Sequence, residues 1–141
     1  MKITFLGTCS GTEPMPNRHH SSVVFEINGQ YYWFDAGECC SHTAYTSGIN
    51  VARVRAVFIS HMHIDHTGGL PNLIFTLNKL KTVTKRDHIN NNSYDLYLPH
   101  IDAFPAIRDM ALSFCFKSKS STAVKALVHQ VSDGLILRMM P

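Results

Sequence analysis

The sequence predicts an α+β fold, a mixed β-sheet with flanking helices. Three observations predict it. Asn28-Gly29 lies between two strand-like runs and is the strongest short hairpin signal in the chain. Ala56 to Ile59 is a short apolar run of the kind a buried strand makes. Leu70, Leu73, Ile74, Leu77 and Leu80 recur at helical spacing and mark one apolar helix face.

The remaining elements follow in order. Lys2 to Leu6 alternates as a first strand and stops at Gly7. Thr8 to His20 is a loop punctuated by Gly11, Pro14, Pro16 and Asn17. Ser22 to Ile27 and Tyr31 to Phe34 are the two hairpin strands, and a short helix runs from Glu38 to about Thr46. Ser60 to Gly69 is a polar loop between the buried strand and the Leu70–Leu80 helix, with Pro71 near its first position, where proline is tolerated. Lys81 to Ser93 is a polar connection, and Tyr94 to Leu98 is a strand stopped by Pro99. Ile101 to Phe116 is helical, started or kinked by Pro105, and Lys117 to Thr122 is a polar linker. Ala126 to Val131 and Leu135 to Leu137 form a final hairpin across Ser132-Asp133-Gly134. No composition shift marks a domain boundary, so residues 1–141 read as one domain.

Composition narrows the function classes. With 141 residues, 45% hydrophobic and 10% aromatic, the chain has the makings of a packed core and not of a disordered segment. No apolar run approaches the ~20 residues that span a bilayer. A net charge of +3 is compatible with an anionic substrate without demanding nucleic acid. The four cysteines include the adjacent pair Cys39-Cys40 and no CxxC, a poor disulfide framework. With no signal-peptide pattern at Met1 to Gly7, the expectation is reduced thiols and a cytoplasmic protein.

The chemistry concentrates in Ser60-His61-Met62-His63-Ile64-Asp65-His66-Thr67-Gly68-Gly69. A lone loop histidine is ordinarily a solvated surface residue. Three imidazoles and a carboxylate within six positions, directly after a buried strand, form a ligand set for divalent ions, zinc above all. In an extended segment His61 and His63 point to the same side and can share one ion. Asp65 and His66 come where the chain turns and can address a second. Two ions about 3.5–4 Å apart can hold a bridging hydroxide. Gly68 and Gly69 let the backbone turn tightly behind them.

His61-x-His63-x-Asp65-His66 resembles the HxHxDH signature of the metallo-β-lactamase-fold hydrolases. Phe5-Leu6-Gly7-Thr8 is similar to that superfamily's opening strand and turn. Phe34-Asp35-Ala36-Gly37-Glu38 is similar to its second signature, and Thr67-Gly68-Gly69-Leu70-Pro71 to the loop and helix behind the metal motif. The stretch around Pro16 and Arg18, and Glu38 with His42, resemble the ribonuclease Z branch. The resemblance implies an αββα sandwich of two similar halves, of which this chain is the N-terminal one, apparently truncated. It implies two zinc ions in the complete domain, one on His61 and His63, one on Asp65 and His66, with iron or manganese fitting the same ligands. Asp65 is then also the catalytic residue that orients the attacking water. Asp35 either caps a turn or holds a ligand from behind, and His42 is a substrate-side candidate. The family's second half supplies a third histidine, a bridging aspartate and a last histidine. Here His88, His100 and His129, with Asp87, Asp95, Asp102, Asp109 and Asp133, lie in no ligand motif.

Two functions follow. The first is a zinc-dependent hydrolase using a metal-bridging hydroxide on an anionic phosphodiester, RNA by its ribonuclease Z likeness. The second is a catalytically incompetent metal-binding or interaction module. A half-sheet exposes an apolar face, which favours a homo-oligomer or pairing through that face. Lys79, Lys81, Lys85 and Arg86 read as a solvated helix end, Ser60 as the end of a strand, and His19-His20 as surface. Cys39-Cys40, Cys115, Phe104, Phe114 and Phe116 read as core.

Overall fold

The structure is a computed structural model and describes residues 1–11, 13, 15–83, 93–112 and 125–130. Six strands form one sheet in sequence order: β1 (Lys2–Gly7), β2 (Ser22–Ile27), β3 (Gln30–Phe34), β4 (Val54–Phe58), β5 (Ser93–Leu98) and β6 (Lys125–Gln130). β1, β2 and β3 pair antiparallel, while β3 to β6 pair parallel, so the sheet is mixed as the sequence predicts. The β2–β3 turn places Asn28 at φ 51° and Gly29 at φ 74°, the left-handed pair that a tight two-residue hairpin requires.

Among the described residues four helices connect the strands: α1 (Cys40–Thr46), α2 (Ile64–Thr67), α3 (Leu70–Val83) and α4 (Phe104–Leu112). α3 carries the predicted stripe: Leu70, Leu73, Ile74 and Leu77 are buried, and Leu80 packs at their edge. They meet the sheet row Val24, Trp33, Val57 and Leu96, together with Ala44 from α1 and Ala111 from α4. Trp33 is fully buried and its indole N–H donates to Ser22 Oγ and to the Asp35 carbonyl, both at 2.9 Å. The opposite face carries a cross-strand row, Phe5, Val23, Phe34, Phe58, Tyr97 and His129, one residue from each strand.

Some boundaries differ from the sequence reading. The loop after β4 contains the four-residue helix α2, invisible to periodicity because it is shorter than two turns. The expected 101–116 helix begins as a 3-10 turn at Ile101–Ala103, and α4 starts at Phe104 with Pro105 in its first turn. β6 joins β5 in parallel, which no local signal announces. Cys40 is buried, but Cys39 is exposed at φ 66°, so only one of the adjacent pair is core. Phe104 packs against the core as expected. The calls on Asp87, His88, Lys85, Arg86, Phe114, Cys115, Phe116, Asp133 and the strand Leu135 to Leu137 lie outside the described residues. Among the described residues no helix is long and apolar enough to cross a membrane.

Candidate metal centre

β4 delivers its C-terminal end to the ligand loop, and the Ile59 amide still pairs with the Tyr97 carbonyl at 2.9 Å. The loop therefore leaves a rigid sheet. His63 keeps extended angles, φ −64° and ψ 150°, and α2 starts behind it. That turn carries Asp65 and His66. His61, His63 and Asp65 each offer one ligand atom, and these lie within 4.8 Å of one another. The structure thus groups Asp65 with the first two histidines. His66 stands beside them, with its ring centroid 4.0 Å from that of His61 and its Nε2 3.4 Å from Asp65 Oδ2.

Asp65 is buried, and its Oδ2 accepts the Gly11 amide at 2.8 Å. That bond holds the carboxyl below the usual carboxylate range; the adjacent His66 and His63 add to the effect, and burial opposes it. The loop after β1 is thereby tied to the ligand loop, a contact the sequence reading missed. A backbone amide leaves no side-chain signal to read.

Asp35 is the hub behind these candidate ligands. It sits at φ 56° directly after β3, its own amide held by the Phe58 carbonyl at 2.8 Å. Oδ1 accepts the Ser60 amide at 2.8 Å, and Oδ2 accepts Ser60 Oγ–H at 2.9 Å. Oδ2 also meets His66 Nδ1 at 2.8 Å. A carboxylate only accepts, so His66 Nδ1 carries the proton and its Nε2 keeps a free lone pair. The same logic reaches His61. Ser60 has one proton and gives it to Asp35, so Ser60 Oγ accepts from His61 Nδ1 at 3.1 Å. Ser60 does more than end a strand. It orients one candidate ligand and braces the carboxylate that orients another. These donors suit a divalent ion: two imidazoles presenting Nε2, a third imidazole at His63, and a carboxylate.

Gly37 and Gly69 close the site from below. The Ala36 amide bonds the His66 carbonyl at 2.7 Å, and the Gly69 amide bonds the Ala36 carbonyl at 2.8 Å. A Cβ on Gly69 would collide with the Gly37 carbonyl and stand 2.9 Å from Cys40 Sγ. Gly68 has φ −58°, and Gly69 does not adopt a positive φ either. At Gly69 the requirement is close approach and not turning freedom.

His42 is exposed on α1, and among the described residues no hydrogen bond or ion pair links it to the ligand cluster. His20 is half-buried, against the surface placement expected for it. It lines a cavity of about 360 Å³ with other residues of the loop after β1 and with Glu38 and Cys39. Lys79 is exposed and Lys81 half-buried at the end of α3. His129 on β6 bonds Asp95 at 3.2 Å on the sheet face.

Residues 1–100 match the profile of the family described as Anti-Pycsar protein Apyc1. Ribonuclease Z of Methanothermobacter thermautotrophicus is 40% identical over 74 residues, 52% of this chain and 24% of that protein. Ribonuclease Z of Cyanothece sp. is 35% identical over 138 residues, 96% of this chain and 39% of that protein. The crystal structure of human tRNase Z, short form, superimposes with a TM-score of 0.69 at 29% identity, covering 92% of this chain and 44% of that one. The metallo-β-lactamase fold protein YhfI from Bacillus subtilis shares the fold, with a TM-score of 0.58 at 21% identity over 91% of this chain and 45% of that one. The chain spans between a quarter and two-fifths of the length of these curated relatives. The fold is metallo-β-lactamase-like, as the sequence predicts, and the chain carries part of it.

Proposed function

The chain belongs to the Anti-Pycsar protein Apyc1 family, and from that premise we propose that its His61–His66 loop is metal-holding machinery of a zinc-dependent hydrolase acting on a phosphodiester, RNA first among candidates. The observation that carries the reading is the convergence of the His61, His63 and Asp65 ligand atoms within 4.8 Å, with His66 alongside. His61 and His63 would hold one ion, Asp65 and His66 a second, with Asp65 facing both. Two divalent ions bound there would supply a bridging hydroxide as nucleophile and offset the charge developing on the phosphoryl oxygens. The chain's own residues do the rest. Asp35 and Ser60 fix the imidazoles, and the Gly11 amide keeps Asp65 ionised so that it can bind and orient the attacking water. The substrate class draws on the relatives named ribonuclease Z and tRNase Z. The donor set suits zinc first and accommodates iron or manganese. Cytoplasmic location, and pairing of the chain through the open sheet face, belong to the same proposal.

The deciding experiment is metal content after exhaustive buffer exchange, joined to turnover of a phosphodiester. We expect bound zinc, lost in His61→Ala and Asp65→Ala, and turnover that falls at least about 100-fold in Asp65→Ala, the scale on which positioned acid–base groups act. Turnover that survives Asp65→Ala overturns the hydrolytic reading. The short span relative to the relatives favours one second reading, a metal-binding module. It predicts retained zinc and no turnover in the wild-type chain.

A further inference from the structure

A charge taken out of water is ordinarily paired. Lys81 is an exception. It lies half-buried in the last turn of α3, and among the described residues no carboxylate stands within ion-pairing distance of its amine. α3 packs against the 3-10 turn Val51–Arg53 that leads into β4. The charge that reaches Lys81 from β4 is a second cation, the Arg55 guanidinium. Burial first, and the Arg55 charge second, push the Lys81 ammonium down to about 8. Part of the side chain is then neutral amine near neutral pH, the form that acts as a nucleophile.

Arg55 is itself short of an acceptor. Its Nη1 stands 2.8 Å from Asp95 Oδ2, close enough for the charges to pair. That nitrogen is nevertheless shielded from solvent and makes no hydrogen bond among the described residues, so distance is met and direction is not. Asp95 is also shared, because its Oδ1 meets His129 Nε2 at 3.2 Å. The other charged or titratable groups on elements packed against α3 are Arg53 in the 3-10 turn, His42 on α1, and Arg108 and Asp109 on α4. Arg108 and Asp109 pair with each other at 2.8 Å. One small anion in place of the Lys81 charge would end the repulsion and give Arg55 Nη1 an acceptor. Carbon dioxide makes that change on the amine itself. The Lys81 Nζ lone pair attacks the carbon, one C=O π pair moves onto oxygen, and the nitrogen gives one proton to water. The product is an N-linked carbamate, with nothing oxidised or reduced.

We propose that Lys81 is a modification site for carbon dioxide, whose Nζ forms a reversible carbamate that the Arg55 guanidinium holds. Arg55 is near the start of β4 and the ligand loop leaves its other end, so the site is separate from the metal centre and independent of the hydrolytic reading. The test equilibrates the full chain with isotope-labelled carbon dioxide near neutral pH. Carbamates are then trapped by alkylation with a trialkyloxonium salt and located by peptide mass. Lys81 should carry at least about tenfold more label than the exposed Lys2 and Lys79, whose amines stay protonated at that pH. At constant carbon dioxide pressure the Lys81 label should rise as the pH is raised toward about 8, where its amine loses the proton. Arg55→Gln removes the holding charge and should cut the label several-fold, while Arg55→Lys keeps a cation there and should retain most of it. Label at Lys81 no higher than at Lys2 overturns the site, and that comparison needs no variant. Equal label in wild type and Arg55→Gln overturns the part given to Arg55.

Discussion

Ser60 shows how much of this centre rests on a single hydroxyl. It donates to Asp35 and accepts from His61, so it sets the His61 tautomer and braces the carboxylate that sets the His66 one. Removing such a support behind a metal ligand typically costs 10–100-fold in metal affinity. Ser60→Ala should therefore weaken zinc binding by about tenfold or more with the far-ultraviolet spectrum unchanged, and Ser60→Thr should restore it. Chelator competition measures this, and an Ala variant that holds zinc like wild type would remove Ser60 from the account. The neighbouring thiols divide as sharply. Burial pushes the Cys40 thiol up to about 12, whereas Cys39 is exposed. Iodoacetamide on the native chain should label Cys39 and spare Cys40, as read by peptide mass. The sign for stability follows. An unfolded Cys40 ionises near its ordinary 9.0, while the folded one keeps its proton to about 12. The unfolded chain then binds fewer protons, so this thiol's contribution to stability falls as pH rises across that window.

The glycine that begins α3's approach does its work by having no side chain. Gly69 lets the turn after β3 lie against the ligand loop, with Cys40 on the third side. Gly69→Ala forces backbone carbonyl and sulfur apart and should cost about 1–3 kcal/mol, the usual penalty of overpacking. Urea unfolding measures it, and a variant as stable as wild type would show that the two turns can separate freely. The predicted elements that proved right share a local cause. The hairpin is written in Asn28-Gly29, and α3 in a leucine stripe that needs no partner to be recognised. The candidate cluster was legible for the same reason, because His61, His63 and Asp65 lie close in space as they do in sequence. What escaped was non-local. α2 carries an exposed Ile64 and spans one turn, so it has no periodicity. Ser60 and Gly11 matter only once Asp35 and Asp65 arrive from distant positions. Parallel pairing of β6 depends on where the chain returns to the sheet, which its own side chains do not encode.

The sheet as a whole is lopsided. Helices bury one face, and the other carries a row of stacked rings from Phe34 to His129 that Val23 separates from Phe5. Phe34 and Phe58 stack at 4.7 Å, Phe58 and Tyr97 at 4.6 Å, and Tyr97 and His129 at 4.7 Å, with Phe25 edge-on to Phe34 at 5.0 Å. Stacking of this kind covers the ring faces against one another but leaves the ring edges as an apolar surface toward solvent. At the β1 end Phe5 is 66% exposed, and Ile3, two residues away on the same face of β1, is 44% exposed. Contiguous apolar area of this sort marks a contact surface. β1 is also an edge strand, where unpaired backbone groups add to the attraction. The chain on its own should therefore associate through this face, and the association should respond to one exposed position. Phe5→Glu places a charge in the row without opening the core, because Phe5 is mostly exposed in the fold. Sedimentation velocity across a concentration series should show wild type gaining mass with concentration and Phe5→Glu remaining monomeric over the same range. Zinc content should be equal in the two, since β1's Phe5 is remote in the row from the ligand loop's anchor at Phe58. If both chains associate alike, the aromatic face is not the surface they use. If neither associates, the row is self-sufficient, and its stacked rings already satisfy the open face of the sheet.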